Sequence, residues 1–278
     1  MPANEDQLKF WNDKAGRDWT ELQERMDANL AGIHDAILAF ADPRSGEAVL
    51  DIGCGTGTTS MVLADRVGPS GRVTGIDLSQ PMLELARRRG AARANLNFVL
   101  ADASLHPFAP EHDLLFSRFG VMFFDDPVGA FTHLRGALKA GGRLAFVCWR
   151  TPPENPWASA PVRAARPFLP ETPPPDPLAP GPFAFCDPER IQTILAQAGF
   201  STPRIEPYDG VMNMGRNLDM AAAQTLRIGP LSRAIGDADA ATRQKIVAAV
   251  KDAFRPFVIS QGDVAPPTAG WLVEVKVA

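Results

Sequence analysis

Residues 48–57 read "AVLDIGCGTG", and residues 74–79 read "TGIDLS", whose acid, Asp77, stands 24 residues past Gly53, the first glycine of the earlier stretch. An apolar strand, a glycine turn and a second strand ending in an acid describe a nucleotide-sized cleft. Glycines 53, 55 and 57 are spaced as G-x-G-x-G. A dinucleotide fingerprint, G-x-G-x-x-G, would need glycine at position 58, which is Thr58. No Gly-Lys-Ser/Thr follows, so a β/γ-phosphate and its magnesium have no holder. Asp51 stands at the strand end just before the turn. A carboxylate there repels a pyrophosphate and attracts an ammonium or a sulfonium.

Asp77 ends the second strand where a carboxylate accepts from both hydroxyls of a ribose. "LADAS" ends a third strand with Asp102, placed to accept from an adenine amino group. An amino-acid cation, a ribose and an adenine in one cleft add up to S-adenosylmethionine. Local readings stand beside these: Asp51 as a turn cap, Asp77 as an Asx turn, Asp102 as a loop residue, Met82 as ordinary helix packing.

The surrounding chain alternates between two periods. Strand-like runs "AVLDIG", "RVTGIDL", "LNFVLAD", "DLLFSRF" and "GRLAFVCW" are separated in most places by helical runs, "TTSMVLADRV", "PMLELARRRGAA" and "PVGAFTHLRGALKA". This is the pattern of βαβ units in a parallel sheet, which binds ligands at the carboxyl ends of its strands. Before it, Trp19, Leu22, Met26, Leu30, Ile33 and Ile37 form one apolar stripe of a helix, which residues 43–47, "PRSGE", interrupt. After it, residues 151–187 hold 12 of the 26 prolines, so an extended surface segment or lid is expected there. Asp187-Pro188 reads as a cap opening the helix "PERIQTILAQAG". "TPRIEPYDG" and "GWLVEVKVA" read as strands, and the residues between them as mostly helix, with Ile246, Val250 and Phe254 in one row.

The 278 residues carry 28 Lys and Arg against 32 Asp and Glu, a net charge of −4. Nothing here suggests a nucleic-acid partner, and Arg87-Arg88-Arg89 reads as a solvated helix end. Three cysteines with no C-x-x-C pair argue against a disulfide framework or zinc site and suit a reducing cytoplasm. "MPANEDQLKFWNDKAG" has no signal-peptide pattern, and no apolar run reaches the roughly 18 residues of a membrane span. A cytoplasmic protein without membrane contact is expected.

Residues 48–150 resemble class I S-adenosylmethionine-dependent methyltransferases. The motifs that carry the resemblance are "VLDIGCGTG", "GIDLSQPMLELA", "FVLADAS", "FSRFGVMFFDDP" and "ALKAGGRLAFVCWR", in order. The group resembled most contains the ubiquinone/menaquinone C-methyltransferases and many small-molecule methyltransferases. The resemblance implies an α/β, Rossmann-like, mostly parallel seven-stranded sheet of order 3-2-1-4-5-7-6, with "GWLVEVKVA" antiparallel. It implies a helical N-terminal cap over residues 1–42 and a cofactor-binding core over 43–150. A proline-rich lid would follow over 151–187. Segments 188–210 and 271–278 would complete the sheet, around a helical substrate-cap insertion at 211–270. By the same resemblance Asp51, Gly53 and Gly55 hold the methionine end, and Cys54 and Thr56 line the turn. Asp77 binds ribose, Leu78 and Met82 sandwich adenine, Asp102 and Ala103 read its edge, and Ser117 faces the reactive methyl.

Methyl transfer from a sulfonium is an in-line displacement. Positioning supplies roughly 7–11 kcal/mol of barrier reduction, whereas a general base supplies about 10²–10⁴-fold. A base is therefore dispensable, and none is assigned. His106 and His112 read as surface turns between the third and fourth strands, and His34 and His133 as exposed helix positions. His106, Arg118 and Tyr208, the last beside the cap region, are the candidates for a catalytic group. Arg118 could bind an acidic substrate or pair with Asp125 or Asp126. "SRFGVMFF" follows the fourth strand where amino-methylating DNA enzymes carry a different motif. Ser117 and Trp149 occupy the places where catechol-type relatives hold magnesium, so no metal is expected. Trp11, Trp19, Phe119, Met122, Phe123, Trp149, Trp157, Phe183 and Phe185 should gather over the strand tips, which favours a small apolar or aromatic acceptor. The rivals are a nicotinamide-dependent oxidoreductase and a non-catalytic S-adenosylmethionine-binding protein. Whether oxygen, nitrogen, carbon or sulfur accepts the methyl stays open, as does closure of the lid within one chain or against a homodimer partner.

Overall fold

A computed structural model describes residues 4–171 and 176–277. Its strands are β1 (Ala48–Ile52), β2 (Arg72–Asp77), β3 (Leu96–Leu100), β4 (His112–Arg118), β5 (Leu138–Trp149), β6 (Arg204–Val211) and β7 (Pro267–Lys276). They form one sheet of order β3-β2-β1-β4-β5-β7-β6. The first five are parallel neighbours, and β7 runs antiparallel to both β5 and β6. All five residues of β1 are buried, as a central parallel strand covered on both faces requires. The expected order and strand direction are those observed. β7 begins at Pro267, ahead of the "GWLVEVKVA" run, because "PTAG" pairs with residues 208–211 of β6.

The helices are α1 (Glu5–Asn12), α2 (Lys14–Glu21), α3 (Gln23–Asn29), α4 (Ala31–Ala41), α5 (Thr58–Val67), α6 (Gln80–Gly90) and α7 (Pro127–Arg135), then α8 (Pro156–Ala165), α9 (Pro188–Gln197), α10 (Leu218–Thr225), α11 (Pro230–Ala234) and α12 (Ala240–Phe254). The N-terminal stripe thus bends at Asp13, Leu22 and Leu30, whose backbones leave helical geometry. Met26, Leu30, Ile33 and Ile37 still face inward and are buried. Helix α4 lies on β4, β5, β6 and β7, while α2 packs against α6.

The proline-rich stretch is not uniformly extended. Within it α8 forms, with Pro156 at the first turn, where a missing N–H costs nothing, and Pro161 inside. The residues 172–175 of that stretch lie outside the described residues.

Asn155 explains why α8 sits where it does. Its side chain is fully buried, and its Nδ2 donates to the carbonyls of Ala269 (3.0 Å), Thr151 (3.2 Å) and Arg150 (3.3 Å). Its Oδ1 accepts from Trp157 Nε1 (2.9 Å), Ala269 N–H (3.0 Å) and Thr268 Oγ1 (3.1 Å). One amide therefore joins the end of β5, the start of β7 and the first turn of α8. Asn155→Ala leaves several buried groups unpaired, each costing about 1–3 kcal/mol. Urea unfolding should show a loss of about 3 kcal/mol or more, whereas a loss below about 1 kcal/mol would show that water or repacking replaces the amide.

Candidate active site

The carboxyl ends of β1, β2 and β4 converge. Gly53 (φ 66°) and Gly55 (φ 55°) take left-handed backbone that favours glycine. A Cβ on Gly53 would stand 2.7 Å from Gly120 Cα, so the turn after β1 meets the turn after β4 backbone to backbone. The N–H groups of Gly53 and Cys54 donate to Ile76 O at 2.9 and 3.1 Å. Asp77 Oδ2 accepts the Gly55 N–H and Oδ1 the Ser79 N–H, each at 2.8 Å. The carboxylate is thus both an Asx-type turn and a brace for the glycine loop, and each oxygen retains a second lone pair. Burial pushes its carboxyl above the ordinary range.

Asp51 is buried, and Ser60 Oγ of α5 donates to its Oδ2 at 2.6 Å. Burial raises it to about 7, against the lowering effects of Ser60 and the Arg118 charge. Cys54 turns away from the cleft into a cluster with Leu83, Ala86 and Phe98, and burial pushes its thiol well up. Thr56 is buried, and its carbonyl accepts from Arg89 Nη1 at 2.7 Å. The tip of Met82 packs on Gly55, where an added Cβ would lie 2.8 Å from its Cε.

At the exit of β4, Ser117 is fully buried. Its Oγ donates to Ile52 O (2.8 Å) and accepts the Gly120 N–H (3.1 Å), so the hydroxyl ties two strand ends together. Phe119 follows with φ 64°, strained for an aromatic residue. Its ring stacks on Trp149 at 3.9 Å between centroids, and Trp149 continues to Trp157 at 4.9 Å. Met122 is buried in the core.

Residues near the N-terminus cover the loop after β2. Asn12 Nδ2 donates to Leu78 O (2.8 Å), and Asn12 Oδ1 accepts the Gln80 N–H (2.9 Å). Ser79 Oγ donates to Trp11 O at 2.7 Å. Asp102 accepts from Ser104 N–H (2.9 Å) and Oγ (2.7 Å) on one oxygen and from Asn4 Nδ2 (2.7 Å) on the other, beside buried Ala103. Trp11 meets Trp19 and Phe123 edge to face at 6.1 and 5.6 Å. Arg227, between α10 and α11, donates through Nε to Asp18 Oδ1 at 2.9 Å, so the cap segment joins the N-terminal helices. Asn4, Asn12 and Ser79 carry no local motif that announces this.

The titratable candidates fall elsewhere than expected. His34 is buried on α4, not exposed, and burial followed by the Arg118 charge holds it near 4. His112 is no surface turn; it opens β4, buried, with Nδ1 3.1 Å from Ala137 O. His133 is half-buried, with Nε2 2.7 Å from His106 O, and the His106 ring packs on Phe108 at 4.9 Å. Tyr208 lies on the edge strand β6 beneath α4, where a Cβ on Gly32 would touch its hydroxyl at 2.7 Å. Four strand spacings of ~4.8 Å put that strand about 19 Å from β1. Among the described residues no three His, Cys, Asp or Glu side chains gather as a metal centre requires, and no helix is long and apolar enough to cross a membrane. One surface depression of about 600 Å³ is lined by Ala64, Asp65, Arg72, Arg93 and Asn95 at the amino ends of the strands. Within it Arg93 already bonds Asp65 at 2.8 Å.

Residues 49–142 match a family model described as a methyltransferase domain. Aklanonic acid methyltransferase of Streptomyces sp. (strain C5) is 38% identical over 113 residues, 40% of this chain and 51% of that protein. Nocamycin O-methyltransferase of Saccharothrix syringae is 30% identical over 190 residues, 63% of this chain and 65% of that protein. The chain thus spans about half to two thirds of the length of these curated relatives. Phosphoethanolamine N-methyltransferase 2 of Haemonchus contortus, solved with S-adenosyl-L-methionine, superposes with a TM-score of 0.53 at 19% identity, over 89% of this chain and 53% of that one. That likeness concerns the fold. Residues 49–142 thus match a methyltransferase domain, and the sheet built around them shares its fold with solved methyltransferases.

Proposed function

We propose that the chain moves the methyl group of S-adenosylmethionine to a small apolar or aromatic acceptor. The observation that carries this reading is one cleft edge holding three features. These are a buried acid at the β1 tip, a braced acid at the β2 tip, and a run of aromatic rings from Phe119 through Trp149 to Trp157. The names of the curated relatives, both methyltransferases of small molecules, point the same way. Asp51 and the Gly53–Gly55 backbone receive the methionine end. Asp77 takes the ribose hydroxyls, Leu78 and Met82 flank the adenine, and Asp102 with Ala103 meets its edge. Cys54 and Ser117 support this set from behind, through the core and the strand tips. When bound, S-adenosylmethionine supplies an electrophilic methyl on a sulfonium.

The chain's own work is orientation and exclusion of water. The stacked Phe119 and Trp149 rings, with Trp11 and Trp19 across the cover, offer flat apolar walls against which an acceptor lies. Held in line, the reactants gain roughly 7–11 kcal/mol from proximity, and no histidine or tyrosine is needed. Three cysteines without a disulfide fit a reducing cytoplasm.

With tritiated methyl donor, label should pass to phenols or quinones and not to sugars or free amino acids. Transfer only to highly polar acceptors would overturn the acceptor class. Asp77→Ala should weaken S-adenosylmethionine binding by about 30-fold while the circular dichroism is kept, from the loss of charge-assisted bonds. Unchanged calorimetric affinity would remove the ribose assignment.

Asp51 predicts a pH dependence. Its folded value of about 7 lies above the ordinary 3.8, so it is mostly neutral at pH 5.5 and half ionised at its midpoint. The ionised form attracts the ligand ammonium, so affinity should tighten about tenfold as pH rises from about 5.5 to about 7. Asp51→Asn should flatten that rise, and the same slope in both proteins would exclude Asp51 as its source.

A further inference from the structure

Beneath the glycine turn lies a buried cation that the preceding reading leaves without a task. Asp51 pairs with Phe116 across the β1–β4 ladder, and side chains of paired residues share a face. Arg118 stands two residues beyond Phe116, so Asp51 and Arg118 project to the same side of the sheet, one pleat apart at the strand tips. Ser117 points to the other side. The Arg118 side chain is 12% exposed, and its Nη1 is buried without a hydrogen-bond partner.

The acids nearby do not answer it. Asp27 of α3 lies 4.0 Å from Arg118 Nη2, beyond hydrogen-bond length. That carboxylate already accepts from Thr58 Oγ1 at 2.7 and 2.8 Å, from Arg89 Nη2 at 3.1 Å and from Gln23 Nε2. Asp125 accepts the Asn4 N–H at 2.7 Å, and Asp126 caps α7 through the Gly129 N–H. The alternative pairing of Arg118 with either acid is therefore not formed. His34, held neutral, adds no charge, and its buried Nδ1 is also without a partner. A guanidinium held from water without a matched anion is costly, and its planar fork fits a carboxylate or phosphate bidentately, of which S-adenosylmethionine carries only the carboxylate.

We infer that Arg118 is the receptor for the α-carboxylate at the methionyl end of S-adenosylmethionine, with Asp51 on the neighbouring strand tip taking the α-ammonium. This rests on the proposed use of that cofactor. An acid and a guanidinium one pleat apart on adjacent strands match the two charges of one amino-acid head group. They also sort ligands: an adenosyl compound lacking the carboxylate gains nothing from Arg118. The residue is a ligand-positioning group, since it sets where the sulfonium lies relative to Phe119 and Trp149.

Calorimetry on the full chain tests this with three ligands: S-adenosylmethionine, its decarboxylated analogue and 5′-methylthioadenosine. For the unaltered protein, loss of the ligand carboxylate should weaken binding about 30-fold. Arg118→Met should weaken S-adenosylmethionine by a similar factor and leave the other two ligands within about twofold, which also reports an intact fold. Arg118→Lys should recover part of the loss. Equal weakening of all three ligands marks Arg118 as structural and overturns the inference, as does unchanged S-adenosylmethionine affinity. Should Arg118→Met not fold, the two S-adenosyl ligands on the unaltered protein decide, and a difference below about threefold refutes it. Failure of the unaltered protein to bind any of the three would instead bring down the cofactor reading with it.

Discussion

Two turns touch here with no side chain between them. Gly53 leaves β1, Gly120 leaves β4, and a Cβ on Gly120 would lie 2.5 Å from Ile52 O. Ser117 secures the contact by bonding Ile52 O and the Gly120 N–H with one hydroxyl. The chain then has to leave β4 through Phe119 in left-handed backbone, at a strain of about 1–3 kcal/mol. The strain is absorbed by a tight stack on Trp149, and Trp149 is held in turn by β7 through its pairing with Gly270. Acid, cation and aromatic wall occupy their places because these two strand tips cannot separate.

The cover over this edge is made differently. Among the described residues, α1 buries Gln7 and α2 buries Gly16 and Asp18, with no large apolar side chain. Their anchors are polar: Asn12 and Trp11 to the loop after β2, Asn4 to Asp102 and Asp125, Arg227 to Asp18 and Glu21. Most of these bonds are part-buried and contribute about 0.5–1.5 kcal/mol each. Helices α3 and α4, by contrast, bury Met26, Ile33, Ile37 and Leu38. The N-terminal segment is therefore held mainly by polar bonds, while Asp51 and Arg118 below it belong to the sheet.

Local chemistry made much of this legible. Apolar runs alternating with helical periods specify a parallel sheet, and a G-x-G-x-G turn with an acid before it and another 24 residues on specifies the ligand edge. Legibility failed where a residue's neighbours come from distant parts of the chain. His34 sits at an ordinary helical position, and only the packing of α4 against the sheet buries it. His112 looks like part of a charged turn until Ala137 supplies its partner. Proline frequency suggested extended chain over 151–187, but Asn155 and the β7 backbone organise a helix around the same prolines.

The amino-acid order alone marked the strands and the acids at their tips, because periodicity and turn chemistry act over a few residues, while the order of the strands across the sheet followed from the family resemblance. Only the tertiary structure decided which polar groups were already satisfied. It joined Ser117 to Ile52, Asp27 to Thr58 and Arg89, and Asn4 to Asp102, and it left the Arg118 Nη1 without an acceptor. Hydrogen-bond satisfaction depends on which atoms from remote segments come within about 3 Å, and no local pattern encodes that distance.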